Sequence, residues 1–198
     1  MFNTTSIYTQ DQIDKLGNAV IFLCERIGML SKTKLLKLVY LIEETSVKKY
    51  GIPFFNMRFD AWHLGPVQRD LFVEITGEPF LLDRFIDKQY QNGGVNILPK
   101  KNFSDDEFSD IELALLDQIA ATFKYTSAEE LIQLTHREHS PWYLTAKENG
   151  LLDAFKNGLA TTSDVEIDLS RVIAGDEEKL KRYQSHQEFI AESRSLKR

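Results

Sequence analysis

The residues with the clearest chemical potential are two histidines, His136 and His139, with Glu138 between them. Residues three apart on a helix share a face, so both imidazoles could ligate one zinc ion beside a carboxylate. Zinc sites take three or four protein ligands, and the other two histidines of the chain lie in unrelated sequence contexts. Because half a site binds poorly, we favour His136 as a buried hydrogen-bonding residue. A metal-dependent hydrolase built on this trio ranks third among our hypotheses.

The other residues that could support catalysis lack the surroundings that a reaction needs. Cys24 ends an apolar run, where a thiol is buried and inert. Gly93 and Gly94 mark a turn, because no strand-to-helix passage surrounds them as a phosphate loop requires. Adjacent acids such as Asp105 and Asp106 point about 100° apart on a helix and serve to cap and solvate it. We therefore predict a protein that is not an enzyme, with no catalytic residue, no cofactor and no bound metal.

Composition narrows the class of protein further. The chain has 198 residues, a net charge of −6 and one cysteine, which indicates one globular domain, or at most two small ones, in a reducing, cytoplasmic location. No stretch approaches the roughly 18 apolar residues that a membrane span needs, and residues 1–10 lack an export signal. We therefore expect no membrane partner. The basic clusters at residues 32–37 and 179–198 do not have the pattern of a DNA-recognition helix, so nucleic acid is not expected as a partner either.

Helical patterns dominate the first fifty residues. A capping-box pair, Thr9 and Gln12, predicts a helix that ends at Gly28. The next helix is predicted from Ser31 to Gly51, and it is apolar over most of its circumference, as a helix at the centre of a domain should be. Four residues form its narrow polar strip: Lys34, Lys37, Glu44 and Lys48.

The middle of the chain is mixed. Alternating polarity predicts a short strand over residues 58–62, and a second strand is predicted over 95–98 after a turn at 91–94. Gly65-Pro66 predicts a chain break and a helix over 67–75. The fold class that follows is mainly α, a compact helical domain around a central apolar helix, with a small β element of two or three strands.

Capping residues predict the later helices. Ser104 and Glu107 predict a helix whose inward residues are Phe108, Ile111, Leu115, Ile119 and Phe123. Ser127 predicts a shorter helix that ends at Leu134, and Pro141 begins another turn.

The last segment, residues 176–198, has a helical pattern with few apolar residues. We predict a charged amphipathic helix that binds a partner, with Tyr183, Phe189 and Ile190 as its apolar anchors. Loose packing on its own domain, or a dimer contact, is an alternative of about equal weight.

Four short stretches together resemble a known family. Residues 34–40 read KLLKLVY, residues 50–51 read YG, residues 59–67 read FDAWHLGPV and residues 134–142 read LTHREHSPW. In order and spacing they are similar to the Panacea domain, also called the SocA-like or DUF4065 family. The resemblance extends from about residue 10 to about residue 150. We therefore predict a Panacea-like helical domain over residues 1–175, with residues 176–198 as a separate partner-binding segment.

The resemblance implies an antitoxin of a bacterial or phage type II toxin–antitoxin system, which neutralises a cognate toxin by direct binding. Some relatives are described as protease adaptors, so a module that delivers a partner protein to a protease is the alternative. Candidate partners are therefore the toxin, a protease and a second copy of the chain. No catalytic residues come with the family. Its motif residues are expected to be scaffold positions: Tyr40, Gly51, Trp62, Gly65, Pro66, Thr135, His136, Pro141 and Trp142.

Overall fold

A computed structural model of the chain describes residues 8–91 and 93–195. Within these residues the helices are α1 (Gln10–Ile27), α2 (Lys32–Tyr50), α3 (Arg69–Thr76), α4 (Asp110–Phe123), α5 (Ala128–Thr135), α6 (Pro141–Glu148), α7 (Leu151–Lys156), a 3-10 turn (Leu169–Ile173) and α8 (Glu177–Ser195). The strands are β1 (Leu30–Ser31), β2 (Asp60–Trp62), β3 (Gly65–Val67), β4 (Ile86–Gln91) and β5 (Gly94–Pro99). The predicted fold class, mainly helical with a small β element, is confirmed. None of the described helices is both long and apolar enough to span a membrane.

The chain forms two compact units, and each unit is built from two separated segments. Unit 1 comprises Met1–Leu35 and Asp70–Thr126, and unit 2 comprises Leu36–Arg69 and Ser127–Arg198. The sequence patterns contain no sign of this interleaving. A boundary at residue 175 stays a prediction, and α8 belongs to unit 2.

Helix α1 in unit 1 begins at the capping box that its sequence predicts. The Gln12 N–H donates to Thr9 Oγ1 at 3.2 Å, and the Thr9 N–H donates to Gln12 Oε1 at 2.9 Å. The helix ends at Gly28, which has a φ of +102°. Gly17 has no room for a side chain, because a Cβ there would lie 2.3 Å from the ring of Phe85. Close packing of the helix therefore depends on this glycine.

The sheet of unit 1 has three antiparallel strands in the order β1-β5-β4. Strand β5 is central, with Ile97 opposite Leu30 on one side and opposite Lys88 on the other. It contains the strand predicted over 95–98, whereas β4 is exposed and polar and was not predicted. The Cys24 thiol lies 3.7 Å from the Ile97 carbonyl oxygen, and burial raises its pKa to about 12. The thiol is therefore protonated and inert.

Helix α4 begins later than predicted. Its capping box is formed by Ser109 and Glu112, with the Ser109 N–H donating to Glu112 Oε2 at 3.0 Å. Ser104 closes a local turn instead, because its hydroxyl donates to Asp106 Oδ2 at 2.6 Å. The prediction was wrong because the same capping pattern occurs twice within nine residues. Ile111, predicted to face inward, is 59% exposed.

Helix α2 has the predicted span, and most of it belongs to unit 2. The predicted polar strip is wrong at two positions, since Lys37 is 1% exposed and Glu44 is 4% exposed. Gly51 follows the helix in the left-handed region, with a φ of +68°. A Cβ at Gly51 would lie 2.7 Å from the Lys179 carbonyl oxygen of α8, so α8 packs directly on this glycine.

The segment after β2 differs from its prediction. Residues 65–67 form β3, which pairs with β2 through Trp62↔Gly65 and Asp60↔Val67, and α3 begins only at Arg69. Gly65 has a φ of +99°, which permits the tight turn that reverses the chain. The proline at position 66 lies in a strand of a short hairpin and does not begin a helix.

The later elements of unit 2 follow their capping residues. Ser127 caps α5 as predicted and does so through a capping box with Glu130, and α6 begins at Pro141, capped by Ser140. Helix α8 occupies Glu177–Ser195, within the predicted helical segment. Residues 196–198, at the end of the predicted helical segment, and residue 92 of the predicted turn lie outside the described residues.

Candidate functional site

The motif residues of unit 2 converge around one buried lysine. Lys37 lies in the apolar part of α2, and its ammonium donates to the Pro66 carbonyl oxygen at 2.9 Å. Burial lowers the pKa of Lys37 to about 7. An ammonium away from water needs fixed acceptors, so this hydrogen bond attaches the β2–β3 hairpin to the central helix.

Gly65 leaves room for the Lys37 side chain to reach the β2–β3 hairpin. A Cβ at this position would lie 3.0 Å from Lys37 Nζ and 2.9 Å from Thr135 Oγ1. The three motif stretches that the sequence keeps far apart therefore meet at this glycine. Any larger residue would displace the lysine or the threonine.

Thr135 and Ser140 hold the turn between α5 and α6. The Ser140 hydroxyl donates to the Thr135 carbonyl oxygen at 2.8 Å and accepts the Tyr143 N–H at 3.1 Å. His139 within the turn has a φ of +67°, a conformation that L-residues rarely adopt. Pro141 occupies the first helical turn of α6, where its missing N–H costs nothing.

His136 packs flat against Trp142, with ring centroids 3.7 Å apart and an interplanar angle of 11°. The Trp142 indole N–H donates to the Trp62 carbonyl oxygen at 2.9 Å, which links α6 to β2. Burial, and to a lesser extent the charges of Lys37 and His63, lower the pKa of His136 to about 4. The ring is therefore neutral at physiological pH and acts as a packing surface.

A second polar contact crosses the same region. Arg137 Nη2 donates to Glu44 Oε1 at 2.9 Å, and the Glu44 side chain is only 5% exposed. Tyr40 lies one turn before Glu44 on α2, and its ring meets Phe59 edge-on with centroids 5.3 Å apart. Burial, together with Glu44, raises the pKa of the Tyr40 hydroxyl well above its usual range.

The zinc trio of the third hypothesis is not assembled. His136 faces Trp142, whereas Glu138 and His139 are exposed. Across residues 8–91 and 93–195, no group of three or more histidine, cysteine, aspartate or glutamate side chains could hold a metal ion. The arrangement around Lys37 joins side chains to one another and to backbone carbonyls.

The three predicted anchors of α8 do not share one environment. Tyr183 and Ile190 are half-buried against unit 2, and Phe189 is 64% exposed on another side of the helix. Burial, then the nearby acids of unit 2, raise the pKa of Tyr183 to about 12. Gln187 Nε2 donates to Asn56 Oδ1 at 3.2 Å from the buried side. One face of α8 therefore packs on its own unit, and the face with Phe189 is presented outward.

Two buried carboxylates were missed by the sequence analysis. Glu43 accepts backbone N–H groups from Phe54, Phe55 and Met57 at 2.9, 2.6 and 3.0 Å, and so holds the loop after α2. The sequence did contain a signal for Glu43. It is an acidic residue beside leucine and isoleucine on a largely apolar helix, and a buried carboxylate there needs hydrogen-bond donors.

The second is Asp60 on β2, whose side chain is 3% exposed. It accepts from Arg58 Nε at 2.9 Å and from Arg69 Nη2 at 2.6 Å. The adjacent backbone pairs with residues 165–167, since the Ala61 N–H donates to the Val165 carbonyl oxygen at 2.9 Å. No local pattern indicates this pairing across a hundred residues.

Comparisons with known proteins identify the family to which these residues belong. The SocA_Panacea family, described as "Antitoxin SocA-like, Panacea domain", matches residues 35–143, a range that includes Lys37, Gly65, His136 and Trp142 and excludes α8. Antitoxin SocA from Caulobacter vibrioides (strain NA1000 / CB15N) is 28% identical over 123 residues, which cover 61% of this chain and 62% of that protein. The match therefore spans less than two thirds of the relative's length. No solved structure is significantly similar. The chain belongs to the SocA-like antitoxin family, whose Panacea domain contains the cluster around Lys37 and Trp142.

Proposed function

We propose that this protein is an antitoxin that neutralises a cognate toxin by binding it directly, without catalysis, in the cytoplasm. The observation that carries the proposal is membership of the SocA-like family over residues 35–143. In that region the motif residues are engaged with one another, so we assign them to the support of a binding surface that lies elsewhere in the chain. Lys37 donates a hydrogen bond to the β2–β3 hairpin. Trp142 stacks on His136 and donates a hydrogen bond to β2.

The toxin-binding segment that we propose is α8, with residues 1–175 as the supporting domain. Helix α8 lies outside the range that the family shares, so its surface can differ between relatives with different toxins. Its inner face is attached to unit 2 through Arg182, which donates to the Tyr50 carbonyl oxygen at 2.9 Å. Its outer face presents Phe189, an aromatic side chain that a groove or pocket in the toxin could bury.

Tyr183 and Ile190 have a supporting part in this proposal. Both are half-buried against unit 2, so they position the helix, and Phe189 makes the principal contact with the toxin. Truncating an anchor aromatic in the centre of an interface commonly costs about 2 kcal/mol or more, which is roughly a thirtyfold loss of affinity.

The test is co-expression with the neighbouring open reading frame, followed by growth and by co-purification. The neighbouring protein alone should stop growth, and this protein should restore it. Phe189→Asp should weaken both rescue and co-purification. Leu159→Asp is the matched control, because Leu159 is an apolar residue of unit 2 that is 80% exposed and lies outside α8.

The lifetime of the toxin distinguishes an antitoxin that blocks by binding from an adaptor that delivers its partner to a protease. Blocking by binding leaves the toxin's half-life unchanged or longer, whereas delivery to a protease shortens it. A neighbouring protein that is harmless alone would contradict the antitoxin proposal. Full rescue by Phe189→Asp would leave the antitoxin proposal standing and would exclude α8 as its contact surface.

A further inference from the structure

Helix α4 of unit 1 carries a stripe of uncharged residues along its outward face. Its inner face is buried through Leu115, Leu116, Ile119 and Ala120. Five uncharged, exposed residues form a stripe along the outward face over four turns: Ile111, Ala114, Gln118, Ala121 and Tyr125. The exposed acids Asp110 and Asp117 lie along one edge of this stripe. Surface helices normally place charged and polar residues on this side.

Two large side chains end this face, which we name the α4 face. Ile111 is 59% exposed at the start of the helix, and Tyr125 is 91% exposed in the turn after it. Lys124 keeps right-handed helical dihedral angles, so the stripe continues to Tyr125. The spacing between successive members is three, four, three and four residues, which is the heptad pattern of a helix that packs along another helix. The two ends are about 21 Å apart along the axis.

The order of residues on the α4 face is the same from either end. A large apolar residue is followed by alanine, then by the central Gln118, then by alanine and a second large residue. A two-fold axis through Gln118 would therefore place Ile111 of one copy beside Tyr125 of the other. It would also place Ala114 beside Ala121, where small side chains allow close approach of the helices. Self-complementarity of this kind is what an isologous dimer interface requires.

The charges at the two ends agree with an antiparallel arrangement. Exposed acids precede the helix and begin it: Asp105, Asp106 and Asp110. Two lysines lie together at the other end, because Lys34 Nζ donates to the Lys124 carbonyl oxygen at 2.9 Å. An antiparallel second copy brings the acidic end of each helix to the basic end of the other and opposes the helix dipoles. A parallel copy would bring like charges together.

We infer that two copies of this protein associate through the α4 face as an antiparallel, two-fold symmetric helix pair centred on Gln118. A contact over four turns is smaller than the roughly 1,200–2,000 Å² of a stable interface, so the dimer is weak and forms in a concentration-dependent manner. The central polar residue sets the register of the pair. This inference is independent of the antitoxin proposal.

Sedimentation equilibrium of the full-length protein from about 1 µM to about 1 mM tests the association. The weight-average mass should rise from 22.9 kDa towards twice that value. Ala114→Glu and Ala121→Glu should each weaken dimerisation tenfold or more. Ala191→Glu, at an exposed alanine on α8, should dimerise like the unchanged protein. Circular dichroism establishes that the variants fold, which is expected because the substituted alanines are exposed.

Disulfide cross-linking tests the orientation. The chain's own Cys24 is buried and protonated, so an introduced cysteine reports alone. Gln118→Cys should form a disulfide-linked dimer on mild oxidation. Ile111→Cys and Tyr125→Cys should cross-link when mixed and should form little dimer separately.

Two results would overturn the inference. One is a monomer over the whole concentration range with no Gln118→Cys dimer, even if the same face then binds a different protein. The other is efficient Ile111→Cys homodimer formation, which requires a parallel pair.

Discussion

The imidazole of His136 lies flat on the indole of Trp142 at 3.7 Å, and the Trp142 N–H reaches across to the Trp62 carbonyl oxygen. This pair connects the turn after α5, helix α6 and strand β2. A stacked neutral histidine contributes dispersion to this packing. The stability of unit 2 should therefore respond to changes in either ring.

Substitutions at Trp142 should separate its two contributions. Trp142→Phe keeps an aromatic face but loses the hydrogen bond to Trp62, and we expect the free energy of unfolding to fall by about 1–2 kcal/mol. Trp142→Ala also loses the stack and leaves a cavity, at about 3–5 kcal/mol. Urea denaturation measures both, and Tyr143→Phe, at the adjacent half-buried position, should change stability by less than about 0.5 kcal/mol. Equal losses for the two Trp142 variants would show that the stack contributes little.

Acidification should weaken the fold through His136. Its pKa is about 4 in the folded protein against an ordinary 6.5, so the unfolded chain binds the proton more readily between these values. The stabilisation that depends on a neutral His136 is fully present above about pH 6.5 and is lost as the pH falls towards 4. The free energy of unfolding should fall by on the order of 1–3 kcal/mol over this range. His136→Phe should reduce the pH dependence of the free energy of unfolding in this window. His139→Asn, at an exposed position, should retain it, and equal slopes for both variants would contradict the assignment.

The buried Lys37 should produce a second pH dependence at higher pH. Its pKa is about 7 in the folded protein, below its ordinary value of 10.5, so the folded chain releases the proton first. The free energy of unfolding should therefore rise between about pH 7 and 10.5 as the unfolded chain loses its preference for the proton. Lys37→Met should remove this rise, although loss of the bond to Pro66 costs about 1–3 kcal/mol at all pH values.

The control for the lysine is Lys48→Met, at an exposed position on the same helix. This variant should show the same rise as the unchanged protein. Thermal or urea unfolding at intervals from pH 7 to 10 makes the comparison, and an unaltered rise in Lys37→Met would show that Lys37 does not cause it.

Gly51→Ala should loosen helix α8. Gly51 and Gly150 both have a φ of +68°, so an alanine at either position carries about 1 kcal/mol of backbone strain. Only at Gly51 does a Cβ collide with another element, at 2.7 Å from the Lys179 carbonyl oxygen, whereas nothing lies within 4 Å of a Cβ at Gly150. Hydrogen exchange should therefore accelerate over residues 177–193 in Gly51→Ala and remain unchanged in Gly150→Ala. Equal exchange in the two variants would mean that α8 does not depend on this contact.

Features governed by local backbone chemistry could be predicted from the sequence. The capping box at Thr9, the cap at Ser127 and the end of α2 before Gly51 follow from hydrogen-bonding and dihedral preferences within a few residues. The same logic failed at Ser104, where two equivalent capping patterns compete. Packing of α4 through Leu115 and Ile119 selects the later one, and that information is not local.

The motif residues of the candidate site were predictable, whereas the buried Lys37, Glu43 and Asp60 and the arrangement of the site were not. The motif stretches that contain Gly65, His136 and Trp142 indicated the correct family. The burial of Lys37, however, depends on a hairpin that lies nearly thirty residues further along the chain. A lysine between leucines has the same sequence pattern whether its ammonium reaches water or a buried carbonyl.

The sequence by itself therefore determined the mainly helical class, the positions of most helix ends and the family, because each depends on residue type and short spacing. Only the tertiary structure decided which polar groups are buried and paired, which side of α8 presents Phe189, and that α4 leaves Ile111 and Tyr125 exposed. The physical reason is that burial and pairing are set by contacts between residues far apart in the chain, whereas caps and turns are set by neighbours.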